Sequence, residues 1–179
     1  MADTQWARFE VFLQEKAGAP HLDVGSVHAM DPELALQNAR DVFARRPECV
    51  SLWVCPVEQI FIRTKQELEE WEPGQIPSGG PQEAYYIFCK FKSAGTAELV
   101  GEVQAGSPQA ALIQAKQGYA AGNSPFVWWV VPVQAVTRSE PEDIDPMFKP
   151  AYEKPFRHSS YYHVITAMRE AKKENPDES

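Results

Sequence analysis

The sequence contains little cysteine and no long hydrophobic run. Its 179 residues include three cysteines, Cys49, Cys55 and Cys89, and no CxxC pair, which argues against a disulfide framework or a thiolate metal site. We interpret the three thiols as small apolar core residues. No apolar stretch has the length needed to cross a bilayer, and the N-terminus lacks a basic, apolar leader. The sequence therefore predicts a cytoplasmic protein.

Basic residues are also scarce. Seventeen lysines and arginines stand against 25 acidic residues, which gives a formal net charge of −8. Such a charge repels polyphosphates and anionic lipids, so neither nucleic acid nor a membrane is expected as a partner. The hydrophobic content of 44% is sufficient for a packed core. A protein partner or a small ligand is the expected binding partner.

The common signatures of catalysis are missing as well. The sequence has no GxSxG, P-loop, GxGxxG or Glu-x-x-His motif, which are typical of hydrolases, nucleotide-binding proteins and di-iron bundles. The pairs His21/His28 and His158/His163 are seven and five residues apart, and neither has the helical i, i+4 spacing of a metal site. A thiolate pair of Cys49 with His28 lacks a third orienting group. We therefore expect no catalytic, metal or cofactor site.

The chain contains an internal repeat. Gly25 aligns with Gly101 at an offset of 76 residues, and this offset holds without a gap from Phe9 to Ile60, with fifteen of 52 positions identical. Unrelated sequences of this composition would share about three. We call residues 9–60 the first copy and residues 85–136 the second copy. Duplication is the firmest inference from the sequence.

Each copy has the pattern of a strand-strand-helix-strand unit. Asp31-Pro32 and Ser107-Pro108 each offer a side-chain oxygen at the N-cap and a proline at N1, which predicts a helix start in both copies. The predicted strands are 9–14, 22–28 and 50–55 in the first copy and 85–91, 99–105 and 126–131 in the second. The apolar stripe predicted for the first helix consists of Ala35, Ala39, Val42 and Phe43.

The last strand of each copy is almost entirely apolar, which is typical of a strand covered on both faces. One face is expected to meet the helix of its own copy. The other is expected to meet the sibling copy, because a unit of about 55 residues buries too little surface to be stable alone. The predicted fold class is α+β, with two tandem β-β-α-β repeats packed as a pseudo-dimer, mainly antiparallel sheets and helices on one face.

Composition divides the chain into three segments. Residues 1–75 hold the first repeat and a short linker helix at 64–71, and a Pro/Gly-rich connector follows at 72–82. Residues 84–138 hold a second, degenerate repeat. Residues 139–179 form a C-terminal extension outside the repeat, irregular at first and then helical from Ser159 to about Lys173.

The first copy resembles a known family. Its sequence is similar, across roughly residues 7–64, to the phenylacetic acid degradation B subunit, in the segments Arg8–Phe12, Pro20-His21, Val24–Ala29, Ala39–Phe43, Arg45–Ser51 and Trp53-Val54. Several dense motifs in order are far more specific than one short pattern. The second copy is predicted to lie outside the family's motif, because His21 becomes Ala97 and His28 becomes Gln104.

The resemblance implies a function. Members of that family are small non-catalytic subunits of a multicomponent monooxygenase that epoxidises phenylacetyl-CoA, while a di-iron subunit and its structural partner form the oxygenase core. It implies that this chain is an accessory subunit that has no cofactor and bridges or stabilises that core, as a monomer or dimer in isolation. The alternative is a stand-alone binding protein for a small aromatic or acyl-CoA ligand in the groove between the copies.

The candidate partner contacts lie mainly in the first copy and the tail. Arg45 and Arg46 follow the first helix and suit a CoA phosphate, a partner carboxylate or the helix dipole. The aromatic tail residues suit docking, and the three tryptophans Trp53, Trp128 and Trp129 suit a core or an interface. The predicted contact set is His21, His28, Arg45, Arg46, Glu48, Tyr161 and Tyr162.

Overall fold

The structure is a computed structural model, and it describes residues 6–44, 49–71, 80–119 and 124–149. The strands are β1 Ala7–Gln14, β2 Leu22–Ala29, β3 Ser51–Pro56, β4 Phe61–Thr64, β5 Glu83–Lys90, β6 Glu98–Ala105, β7 Val127–Pro132 and β8 Thr137–Arg138. The α-helices are α1 Pro32–Phe43, α2 Lys65–Glu70 and α3 Pro108–Tyr119. Short helical turns cover Val57–Gln59, Val133–Ala135, Pro141–Asp143 and Ile144–Phe148.

The predicted α+β fold and its two β-β-α-β repeats are confirmed. All six predicted strands, both repeat helices and the short linker helix are present. The copies share even their irregularities, because the register of β1 against β2 shifts between Val11 and Phe12, and that of β5 against β6 shifts between Ile87 and Phe88. β4 and β8 were not predicted from the sequence, because they are only four and two residues long and too short to show an alternating pattern.

The two long helices begin at the predicted caps. Asp31 Oδ1 accepts a hydrogen bond from the Leu34 amide at 2.8 Å, and Ser107 Oγ accepts one from the Ala110 amide at 3.2 Å. The predicted apolar stripe of α1 was wrong in one position, because Val42 is 58% exposed. The stripe centres on Ala35, Leu36, Ala39 and Phe43, and at 100° per residue Val42 lies about 70° from that centre.

The strands form one antiparallel sheet in the order β4-β7-β5-β6-β2-β1-β3-β8. The copies join at its middle, where Leu22 pairs with Glu98. The sheet cannot be flat. β3 and β4 stand six places apart in this order, which is about 29 Å in a flat sheet, yet residues 57–60 join them and reach at most about 18 Å. The sheet therefore curls and brings its two ends together.

The curled sheet exchanges segments between the copies. β4 follows the first copy and pairs with β7 of the second, while β8 follows the second copy and pairs with β3 of the first. Trp71 then packs on the buried cluster between α3 and the strands of the second copy, and Phe148 is buried in the cluster between α1 and the strands of the first. We call these two clusters the helix-side cores. The structural equivalence of the copies thus continues past residue 60 into the segment assigned to the C-terminal extension. Residues 141–148, predicted to be irregular, form two helical turns.

Three clusters of buried side chains make up the core. One lies between α1 and its strands and one between α3 and its strands. The third, which we call the central core, lies between the inner faces of both sheet halves. At its centre the rings of Phe12 and Phe88 stack with centroids 4.2 Å apart. The sibling copy therefore covers the inner face of each half, as predicted. The helix predicted from Ser159 lies outside the described residues.

Candidate functional site

The inner faces of the two copies meet in a stack of aromatic and cationic side chains. We define the junction cluster as His21, Trp53, Tyr86 and Arg138. The His21 ring stacks on Trp53 with centroids 3.6 Å apart, and Trp53 stacks on Tyr86 at 4.8 Å. The Arg138 Cζ lies 5.0 Å from the centre of the Trp53 ring and 5.2 Å from that of Tyr86. Strands from both copies thus build one cluster.

Hydrogen bonds fix the two ends of the junction cluster. Arg138 Nη2 donates to the Tyr86 hydroxyl at 2.8 Å, and His21 Nε2 lies 3.0 Å from the Ser51 hydroxyl. Burial, reinforced by the nearby Arg138 charge, lowers the pKa of His21 to about 4. The imidazole is therefore neutral at neutral pH, which suits a ring enclosed between two copies.

Two carboxyl groups lie near the same inner region. Burial is the main reason that the pKa of Glu10 is raised, and Asp23 raises it further while Arg8 lowers it. Burial also raises the pKa of Asp23, against a hydrogen bond from the Gly25 amide and the charge of Lys90. Burial is thus the largest cause of both shifts, and the neighbouring Asp23 carboxyl adds to it for Glu10.

A second feature lies at the exposed end of the first copy. We define the edge patch as Trp6, His28 and Met30. Ala7 pairs with Ala29, which places Trp6 and Met30 next to each other beyond the last pair, and the two side chains are 54% and 68% exposed. His28 Nδ1 lies 2.9 Å from the Trp6 carbonyl oxygen. The equivalent positions in the second copy hold Gln82, Gln104 and Gly106, so the apolar character belongs to one copy.

The structure separates the two histidines of the predicted contact set. His28 is exposed in the edge patch. His21 is only 5% exposed and lies inside the junction cluster. Its ring can contact another protein only if the two copies separate. The remaining members, Arg45, Arg46, Glu48, Tyr161 and Tyr162, lie outside the described residues.

Sequence reasoning missed Tyr86 and Arg138. A signal was available, because Tyr86 aligns with Glu10 and Arg138 aligns with Ile62 at the repeat offset. At these inner positions the two copies carry side chains of different charge and polarity, although the surrounding strand pattern is the same. Of the three tryptophans, Trp128 packs in the helix-side core of the second copy, while Trp53 and Trp129 lie in the central core.

The thiols are packed as predicted. Cys49, Cys55 and Cys89 are all buried, and each remains a thiol. Burial raises the pKa of Cys49 to about 11 and those of Cys55 and Cys89 to about 12, so all three are protonated at neutral pH. Within the described ranges, no group of three or more metal-binding side chains occurs. In that same part of the chain, no helix is both long and apolar enough to span a bilayer.

A groove lies beside α2 and the second copy. Its volume is about 680 Å³, and its lining residues include Lys65, Lys90, Glu69, Glu70 and the half-exposed ring of Phe126. Two cationic and two anionic residues therefore line the same groove. The groove is separate from the space between the copies, which the central core fills.

Comparison with known proteins gives the family. The sequence model of the family described as Phenylacetic acid degradation B matches residues 5–75 and again residues 82–169. A protein of Escherichia coli (strain K12), named as the B component of 1,2-phenylacetyl-CoA epoxidase, is 41% identical over 71 residues, or 40% of this chain and 75% of that relative. No solved structure matches significantly.

The match corrects one prediction and confirms another. The second copy was expected to lie outside the family's motif, but the family model covers it and most of the C-terminal extension. The second copy has Gln104 where the first has His28, but it shares core and helix-start residues with the first, such as Phe88, Pro108 and Ala111. The suspected family is confirmed. This chain is therefore a member of the Phenylacetic acid degradation B family that carries the family's unit twice in tandem.

Proposed function

We propose that this chain is a non-catalytic subunit of a phenylacetyl-CoA epoxidase-like multicomponent monooxygenase in the cytoplasm. It acts through protein contacts that bridge or stabilise the oxygenase core. The observation that carries the proposal is the 41% identity to a protein named as a subunit of such an epoxidase, over three quarters of that protein's length. A subunit requires others, so the partners are the oxygenase subunits of the same complex.

The edge patch is the proposed contact surface. Trp6 and Met30 expose large apolar side chains next to the polar ring of His28, a composition that is common at the centre of protein interfaces. Arg45, Arg46 and Glu48 of the predicted contact set belong to the same copy and remain proposed contacts, as do Tyr161 and Tyr162. The glutamines and glycine at the equivalent positions of the second copy offer no comparable anchor.

Reconstitution tests the function. The oxygenase subunits are purified with and without this chain, and turnover of phenylacetyl-CoA is measured with the reductase present. We expect the chain to co-purify with the oxygenase core and to raise turnover, and we expect no turnover by the chain alone. An isolated chain that oxidises phenylacetyl-CoA, or a core whose assembly and turnover ignore the chain, would refute the proposal.

Matched variants test the contact surface. Trp6→Ala with Met30→Ser removes the apolar anchors of the first copy, and Gln82→Ala with Gln104→Ala changes the equivalent surface of the second. We expect the first pair to weaken binding to the oxygenase core by about 30-fold or more, as for anchor residues, and the second pair to change it little. Equal effects of the two pairs would place the contact elsewhere.

Ligand binding is the second candidate function, and the groove beside α2 favours it. Phe126 offers an aromatic face, and Lys65 and Lys90 offer cations for an acyl-CoA, although Glu69 and Glu70 oppose its phosphates. Phenylacetyl-CoA added to the isolated chain should then raise its melting temperature. Lys65→Gln with Lys90→Gln should abolish that rise, and an unchanged melting temperature would eliminate this candidate.

A further inference from the structure

The curled sheet contains two equivalent junctions between the copies. We call the pairing of β3 with β8 the first junction and that of β7 with β4 the second junction. Trp53 stands opposite Arg138 in the first, and Trp129 stands opposite Ile62 in the second. The two tryptophans align at the repeat offset, as do Ile62 and Arg138. The same backbone pairing therefore carries different chemistry at its two occurrences.

The first junction is polar and closely complementary. Tyr86 and Arg138 come from the second copy and its extension, and they meet His21 and Trp53 of the first copy through ring stacking and the Arg138 to Tyr86 hydrogen bond. The Arg138 Nε is buried without an acceptor among the described residues. The contacts of its guanidinium are the Tyr86 hydroxyl and the ring faces of Trp53 and Tyr86. The second junction does not offer this combination of groups.

The second junction cannot make these contacts. Ala97 stands in place of His21, Glu10 in place of Tyr86 and Ile62 in place of Arg138. Ala97 and Ile62 pack with Trp129 in the central core, where the T-shaped contact of Trp129 with Phe12 has a centroid distance of 6.1 Å. Apolar packing around Trp129, together with the buried Glu10 and its partner Arg8, thus replaces the aromatic and cationic stack.

This difference determines which copies can pair. If two first copies paired in the same way, Glu10 would stand where Tyr86 stands and Ile62 where Arg138 stands. Glu10, which is buried and paired with Arg8 at 3.3 Å, would then stand beside Trp53 in place of the Tyr86 ring. Neither the tyrosine hydroxyl nor Arg138 would be present to complete the stack, and a carboxylate would be buried against an aromatic ring. A first copy discriminates between the two possible partners because pairing with a second copy gives favourable contacts and pairing with another first copy gives unfavourable ones.

We propose that the junction cluster is a pairing lock, which makes a first copy accept a second copy and reject another first copy. One chain carries one copy of each kind, and the connector keeps them at a high effective concentration. Because of this preference, the two copies of one chain pair with each other and not with copies of another chain. The protein is therefore a monomeric pseudo-dimer. This inference is independent of the proposed role in an epoxidase.

The oligomeric state of the full chain gives the first test. We expect the wild type to have the mass of one chain in light scattering across the accessible concentration range. Arg138→Ile gives the first junction the residue found at the second, and we expect a dimer that grows with concentration. Ile62→Val is the matched control in the second junction and should remain monomeric. A dimeric wild type, or an Arg138→Ile variant that stays monomeric, overturns the proposal.

Amide hydrogen exchange separates a local lock from general destabilisation. The Ser139 amide donates to the Leu52 carbonyl at 2.8 Å and reports on the first junction, while the Lys65 amide donates to the Phe126 carbonyl at 2.8 Å and reports on the second. In Arg138→Ile we expect Ser139 to exchange about tenfold faster, the effect of losing one hydrogen bond to a charged group. Lys65 should be unchanged, and equal acceleration at both amides overturns the proposal.

A milder variant covers the case in which Arg138→Ile fails to fold. Tyr86→Phe keeps the ring stack and removes only the hydroxyl that accepts from Arg138. Faster exchange at Ser139 with unchanged exchange at Lys65 supports the lock. Unchanged exchange at both amides, or equal change at both, overturns it.

Discussion

At the scale of single residues, the face through which the two copies meet combines side chains that the copies share with side chains in which they differ. Phe12 and Phe88 stack across the central core, and the paired tryptophans Trp53 and Trp129 occupy equivalent strand positions. The inner positions around them have diverged. The pairs that differ there are Glu10 and Tyr86, His21 and Ala97, and Ile62 and Arg138.

His21 gives the protein a predictable response to acid. Burial and Arg138 lower its pKa to about 4, whereas in the unfolded chain it is about 6.5. The unfolded chain therefore binds the proton first, so the stability that neutral His21 contributes is full above about pH 6.5 and is lost as the pH falls towards 4. We expect the wild type to lose on the order of 2 kcal/mol more than His21→Gln over that range.

Urea unfolding at a series of pH values measures this difference. Glu10 and Asp23 have raised pKa values, so they favour the folded state on acidification, but both are present in wild type and variant. The comparison therefore isolates His21. Identical pH dependence of the two proteins would contradict the assignment of a buried neutral imidazole.

Two equivalent glycines should differ in their tolerance of alanine. Gly25 has a φ of +126° and an added Cβ would lie 3.2 Å from Phe43 Cζ, so Gly25→Ala combines backbone strain with a tight contact and should cost about 2 kcal/mol. An added Cβ at Gly101 would overlap the Tyr119 hydroxyl. That ring can swing outward and lose its hydrogen bond to the Glu102 carbonyl, at about 1 kcal/mol. Chemical denaturation that ranked the variants in the opposite order would contradict this account.

At the scale of elements, the exchanged segments hold the copies together. The segment after the second copy contributes β8 to the first copy's sheet and then buries Phe148 in the first copy's helix-side core. Arg40 Nε of α1 donates to the Met147 carbonyl at 2.8 Å. Residues that follow the second copy in sequence thus complete the first copy in space.

Phe148→Ala tests that completion. Phe148 is 1% exposed, so its truncation should cost about 3–4 kcal/mol. Arg40→Ala removes the hydrogen bond to Met147 and an exposed ion pair with Asp41, and it should cost about 1–2 kcal/mol. Guanidinium unfolding measures both, and a loss below about 1 kcal/mol for Phe148→Ala would show that the segment is dispensable for the first copy.

At the scale of the whole molecule, the central core makes the two copies one cooperative unit. It includes Phe12 and Cys55 of the first copy and Phe88 and Val131 of the second. If one half were removed, the apolar inner face of the other would be exposed to water. The exchanged strands β4 and β8 strengthen this dependence, because each adds backbone hydrogen bonds across the divide.

The chain should therefore unfold in one transition. Tryptophan fluorescence reports on both copies through Trp53, Trp128 and Trp129, and far-UV circular dichroism reports on the sheet and helices. We expect coincident midpoints for the two probes. Phe88→Ala should move both midpoints together and cost about 3–5 kcal/mol. Two separated transitions would mean that the copies fold independently.

The repeated unit could be predicted from the sequence alone. Its strands, helix caps and apolar faces are local patterns, set by residues close together in the chain such as Asp31-Pro32 and Ser107-Pro108. The same patterns predicted that each inner face needs a cover, and the family resemblance of the first copy followed from contiguous motifs. The exposed position of Val42 shows the limit of this reasoning, because several helix rotations satisfy the same spacing.

How the copies are joined is visible only in the tertiary structure. β4 and β8 pair with strands of the opposite copy, and at four and two residues they are too short for a local pattern to predict them. The junction cluster brings together residues up to 117 positions apart, from His21 to Arg138. Such contacts depend on the curl of the sheet, which follows from short connections between distant strands and not from any local run of residues.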